Sequence, residues 1–150
     1  MKTRANIFET NSSSTHSFVL RDKNPDYIIP VINNIKTYKI SCGEYGWGYE
    51  KLTSWQERAE YLATYAVTCG GPEAIAKFEK EMSDYLKVPV KIAMPREISY
   101  DDGESYSYKE YENDYIDHQS VDYAAKMFED IKTTVFSKNG MIEIDNDNHG

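Results

Sequence analysis

Cysteine is scarce in this chain, with two in 150 residues, Cys42 and Cys69. That excludes a disulfide-dense secreted scaffold, and a single pair so far apart lacks the paired spacing of a zinc site. Both thiols are expected to be reduced and to behave as small buried hydrophobes. Long apolar runs are missing too, since none approaches the roughly 18 residues of a membrane span. Met1-Lys2-Thr3-Arg4 leads into Asn6 and Glu9 rather than into the apolar core of a signal peptide. A cytoplasmic protein without a membrane partner is expected. Basic residues are outnumbered, 17 against 25 acids, and form no stripe, which disfavours direct binding to DNA or RNA. There is no G-x-S-x-G elbow, no internal repeat and no compositional break, so residues 1–150 read as one domain ending in a short polar tail, 145–150.

Hydrophobic residues at 40% and aromatics at 13% supply enough apolar surface for a core. The net charge of −8 is concentrated: residues 97–122 hold nine acids against one base, Lys109, and the remainder is balanced. One face should therefore carry the negative potential. Five tyrosines (Tyr100, Tyr106, Tyr108, Tyr111, Tyr115) interleave with those carboxylates.

The densest chemistry lies at the beginning, Arg4-Ala5-Asn6-Ile7-Phe8-Glu9-Thr10-Asn11-Ser12-Ser13-Ser14-Thr15-His16-Ser17. Six hydroxyls, a carboxylate, amides, an imidazole and a guanidinium fall within these fourteen residues. This stretch resembles the N-terminal signature, R-x-N-x-F-E-T-N-S-S-S-x-H-S, of small phage and prophage proteins that carry no assigned activity. The resemblance covers about a tenth of the chain and implies a viral or mobile-element origin.

Read from its residues, the stretch is a serine-rich loop between a strand at 5–9 and a second at 17–21, both short and rich in aromatic or β-branched residues. Serine and asparagine in a row favour turns whose exposed amides can cup an anion. A surface loop with an exposed histidine is the plain reading. The functional one is a ligand site built from Arg4, Glu9, Asn11, Ser12, Ser13, Ser14, His16 and Ser17, binding or processing a phosphate-bearing small molecule or nucleotide. No cofactor is indicated. His118-Gln119-Ser120 has the H-x-S spacing of two-histidine phosphoesterases, but only one such motif is present. Asp145-Asn146-Asp147 opens like a calcium loop and lacks the later ligands, so no metal is expected.

Farther along, residues 27–32 read as a strand or short helix, 36–40 as a strand, and 42–49 as a flexible aromatic loop. Ser54-Trp55-Gln56-Glu57 is a capping box. Trp55, Ala59, Leu62, Ala63, Ala66 and Val67 then form one apolar helical stripe, closed by Gly70-Gly71. Pro72 opens a second helix with Ile75, Phe78, Met82 and Leu86 inward. A strand follows at 88–94 and a hairpin at 98–108 around Asp101-Asp102-Gly103-Glu104. Val121, Ala124, Ala125, Phe128, Ile131, Val135 and Phe136 mark a third helix capped by Ser120, and 141–144 a last strand. The class is α+β, with about three helices packed on a mainly antiparallel sheet.

A second functional reading uses the acidic segment. Asp101, Asp102, Glu104, Tyr106, Tyr108 and Tyr111 on a hairpin would imitate nucleic acid and occupy a basic host protein, carboxylates standing for phosphates and tyrosines serving as anchors.

Overall fold

The computed structural model describes residues 14–21, 26–46, 48–94, 97–101, 107–111, 115–116 and 121–146, with the backbone alone at 14, 97–101, 107–111, 115 and 146. The strand expected at 5–9, the loop at 11–13, the turn at 102–106, His118 and Ser120 lie outside those residues. The described elements run β1 (Ser14–Leu20), β2 (Tyr38–Ser41), β3 (Glu44–Tyr45), β4 (Glu50–Leu52), α1 (Trp55–Tyr65), a π-helical turn (Ala66–Gly70) and α2 (Pro72–Leu86). There follow β5 (Val90–Ala93), β6 (Glu97–Asp101), β7 (Ser107–Tyr111), β8 (Tyr115–Ile116), α3 (Val121–Phe128), α4 (Ile131–Phe136) and β9 (Gly140–Asn146). The class is α+β, as the sequence implied.

The last strand holds the centre of the main sheet. β9 lies between β1 and β4, antiparallel to both, with His16 opposite Ile144 and Phe18 opposite Ile142. Asp145 and Asn146, expected to begin a polar tail, instead pair with Thr15 and Ser14. Two short parallel pairs, β2 with β5 and β3 with β8, stand beside this sheet, and β6 with β7 forms an antiparallel ribbon. The ribbon extends the expected 98–108 hairpin to Tyr111, with Tyr100 opposite Tyr108 and Glu97 opposite Tyr111.

α1 is the pillar of the core. Its capping box is complete: the Ser54 hydroxyl accepts from the Glu57 N–H, and the Glu57 carboxylate accepts from the Ser54 N–H, each at 3.1 Å. The whole anticipated stripe is buried, together with Arg58, Tyr61 and Thr64, which the helical period alone would leave outside. The reason is tertiary, because sheet, partner helices and β2 surround α1 on several sides. At its end the Gly71 N–H bonds the Ala66 carbonyl, five residues back, so the last turn widens to a π-turn. Gly71 then takes φ +86°, a conformation that favours glycine, before Pro72 starts α2.

α2 buries Phe78, Met82 and Leu86 and stitches β5 into place. The Val90 N–H donates to the Ser83 hydroxyl at 2.8 Å, and the Ile92 N–H to the Glu79 carboxylate at 2.9 Å.

Several expectations are corrected. The helix anticipated across 121–136 is two helices. Asp130 leaves the helical conformation and caps α4, its carboxylate accepting from the Thr133 N–H at 3.1 Å. Residues 27–32 form neither strand nor helix. Their start is joined to the end of α4, the Ile28 N–H donating to the Phe136 carbonyl and a single bridge linking Tyr27 and Ser137. The aromatic loop at 42–49 contains β3, whose Tyr45 is buried beneath α1. Neither cysteine is buried: Cys42 is half-buried and Cys69, on the π-turn, is exposed.

Candidate functional site

β1 starts at Ser14 rather than Ser17, so His16 belongs to a strand and not to an exposed loop. Side chains alternate across a strand, and the pairing of His16 with buried Ile144 and of Phe18 with buried Ile142 turns both toward the helices. His16 is consequently only 1% exposed. Its Nδ1 lies 2.6 Å from the Tyr61 hydroxyl of α1, a hydrogen bond whose donor is set by the imidazole tautomer. Tyr61 in turn meets Tyr45 edge to face, with ring centroids 5.1 Å apart. Burial, reinforced by Glu60 and Glu50, pushes the Tyr45 phenol far above its ordinary value. Strand β1, helix α1 and strand β3 are thus connected through an imidazole and two phenols.

A cleft of about 370 Å³ opens over this imidazole. β1 contributes His16, Ser17 and Phe18; α3 contributes Tyr123, Lys126 and Met127; Asp130, Thr133 and Thr134 close the far side. Tyr123, Lys126 and Met127 are spaced i, i+3, i+4, so α3 presents one stripe to the cleft, and Asp130 follows beyond its end. Ser17 lies on the opposite strand face from His16, paired with Glu143, and also borders the cleft.

The wall carrying Thr133 and Thr134 is held from behind by Arg58, which is fully buried. Its Nη1 donates to the Thr134 carbonyl and its Nη2 to the Ser137 carbonyl, both at 2.9 Å, while Nε donates to the Ser54 carbonyl at 3.3 Å. The Thr134 and Ser137 carbonyls lie at the C-terminal end of α4, where backbone acceptors lack helical partners, and the Ser54 carbonyl also accepts the Arg58 backbone N–H at the start of α1. Burial lowers the guanidinium to about 10, which leaves it charged at neutral pH. Space for it depends on Gly140, where a Cβ would stand 2.4 Å from Nη1 and 2.9 Å from the Phe18 ring. Thr134 adds a bond from its hydroxyl to the Met127 carbonyl, spanning the break between α3 and α4.

Of the eight residues proposed for the N-terminal site, the structure brings His16 and Ser17 to the cleft. Ser14 is placed in β1 by its backbone, and Arg4, Glu9, Asn11, Ser12 and Ser13 lie outside the described residues. Of the acidic set, Asp101, Tyr108 and Tyr111 are placed on the ribbon backbone, and Asp102, Glu104 and Tyr106 lie outside. Tyr61, Lys126, Asp130 and Thr133 were not singled out in the sequence. Only the Asp130-Thr133 cap spacing carried a local signal. Among the described residues, no group of three or more histidine, cysteine or acidic side chains is arranged to hold a metal, and no helix is long and apolar enough to cross a membrane. Comparison with protein-family models, with curated proteins and with solved structures finds no match.

Proposed function

We propose that this chain is a phage or prophage accessory protein that binds a phosphate-bearing small molecule in the cleft between β1 and helices α3 and α4. One observation carries the reading: His16 and Ser17, the end of the hydroxyl-rich N-terminal signature, share a cleft with Lys126 and Thr133 from the other end of the chain. An ammonium group, a hydroxyl and an imidazole are the groups that meet a phosphate ester by charge-assisted hydrogen bonding. The chemical logic is binding. His16 is fixed by Tyr61 at the base of the cleft.

Calorimetric titration of the full chain with ribose 5-phosphate, using ribose as the control, tests this. Binding of the phosphate ester alone, weakened at least tenfold by Lys126→Ala, is expected. Equal binding of ester and sugar, or none by either, would refute the reading.

The acidic ribbon supports a second reading, an inhibitor that imitates nucleic acid. Backbone pairing from Glu97 to Tyr111 aligns its carboxylate and tyrosine positions in two strands, and residues two apart on a strand are about 6.6 Å apart. Capture of a basic host protein that weakens steeply with salt, and fails when Asp101, Asp102 and Glu104 become amides, would favour it.

A further inference from the structure

The cleft lining combines apolar and polar groups, and the combination bears on what lies beyond the phosphate. Phe18 from β1 and Tyr123 and Met127 from α3 supply aromatic and thioether surface, and Tyr123 remains 44% exposed at the cleft. Such a flat, partly solvated ring is a surface on which a planar base can stack. Lys126, three residues along α3 from Tyr123, and Thr133 from α4 supply polar groups. Asp130 has one carboxylate oxygen engaged by the Thr133 N–H. Its second oxygen is suited to accept from a sugar hydroxyl rather than to approach a phosphate.

Volume and charge narrow the choice. About 370 Å³ lies at the small end of the roughly 300 to 1,000 Å³ typical of ligand clefts, room for one nucleoside unit rather than two. The described lining holds one lysine, opposed by one aspartate, with an imidazole beneath. A single phosphate suits that balance, whereas a triphosphate would crowd several negative charges against one ammonium and a carboxylate.

On the reading that this cleft binds phosphate esters, we propose that its ligand is a nucleoside monophosphate, the base resting against Tyr123, Phe18 and Met127 and the phosphate at Lys126. Base stacking adds affinity that a sugar phosphate cannot gain, and Tyr123 contributes to the base alone.

The test is calorimetry on the full chain with AMP, GMP, CMP, UMP and dTMP, alongside ribose 5-phosphate and ATP. At least one monophosphate should bind tenfold or more tightly than ribose 5-phosphate, and AMP should bind more tightly than ATP. Tyr123→Ala should erase the nucleotide's advantage while leaving ribose 5-phosphate unchanged, Tyr123→Phe should preserve it, and Lys126→Ala should weaken both ligands. Tyr123 and Lys126 are exposed, so these variants should fold, which circular dichroism checks. Ribose 5-phosphate binding as tightly as the best nucleotide, with Lys126 still required, would overturn the assignment of a base subsite and leave phosphate binding intact. ATP binding more tightly than AMP would overturn the monophosphate. Failure of every phosphate ester to bind would remove both this inference and the reading beneath it.

Discussion

The His16 imidazole and the Tyr61 hydroxyl meet at 2.6 Å inside the protein, joining the edge strand of the main sheet to the central helix. Buried polar groups are costly when a partner is taken away, because the survivor has lost its water as well. Tyr61→Phe, which keeps the ring and its packing on Tyr45, should therefore destabilise the fold by about 1 to 3 kcal/mol in denaturant melts. A change within a few tenths would mean that the bond contributes little to holding β1.

Arg58 and Gly140 are expected to behave as one unit. Gly140→Ala puts a methyl into space held by the guanidinium and the Phe18 ring, and overpacking of this kind costs about 1 to 3 kcal/mol. Arg58→Met leaves the Thr134 carbonyl without its donor, while the Ser54 and Ser137 carbonyls keep the Arg58 and Gly140 backbone N–H groups, and should cost about 1 to 3 kcal/mol. Because both changes act on the same space, the double variant should lose less than their sum, and a thermodynamic cycle measures the difference. Strict additivity would contradict this coupling.

Glu57 and Glu60 should give opposite pH signatures. Backbone N–H bonding from Ser54 leads the influences that hold the Glu57 carboxyl below its ordinary 4.5, so its contribution is present above that value and disappears as pH falls through its lower folded value. Glu57→Gln keeps a capping oxygen but loses the charge, and should cost about 0.3 to 1 kcal/mol at pH 7 and progressively less as pH falls below 4.5. Burial raises Glu60 above 4.5, so its ionisation works against the folded state. Glu60→Gln should stabilise at pH 7 and lose that effect below pH 4. Parallel urea melts of the two variants across this range check both signs.

Leu62 is fully buried on the inward stripe of α1, beside Trp55 and Phe128 in the same core. Leu62→Ala should cost roughly 2 to 5 kcal/mol, depending on how far the cavity collapses. A loss below about 1 kcal/mol would contradict the packing described.

The features legible in the sequence are those fixed within a few turns of chain. The Ser54 and Glu57 capping box, the α1 stripe and the Pro72 start depend on neighbours three or four residues away, and they stand where periodicity put them. The break between α3 and α4 was hidden by the same periodicity. Phe128, Ile131 and Val135 are all buried, so the apolar phase continues across a backbone interruption visible only in Asp130. His16 reads as exposed because its burial depends on pairing with β9, at the far end of the chain. Arg58 is hidden for a related reason: a charged residue in a helix reads as outward until distant carbonyls are brought to it. The cleft was half legible, with His16 and Ser17 foreseen and the Lys126 and Thr133 wall available only through tertiary packing.

Native mass spectrometry of the full chain purified from its own host cells tests the central claim, a cleft for a phosphate-bearing small molecule, most directly. The expected spectrum shows the protein carrying one small molecule whose fragmentation releases phosphate, and Lys126→Ala purified in the same way should lose it. A bare wild-type chain, or one carrying a basic host protein that dissociates as salt is raised, would contradict the cleft as the functional centre.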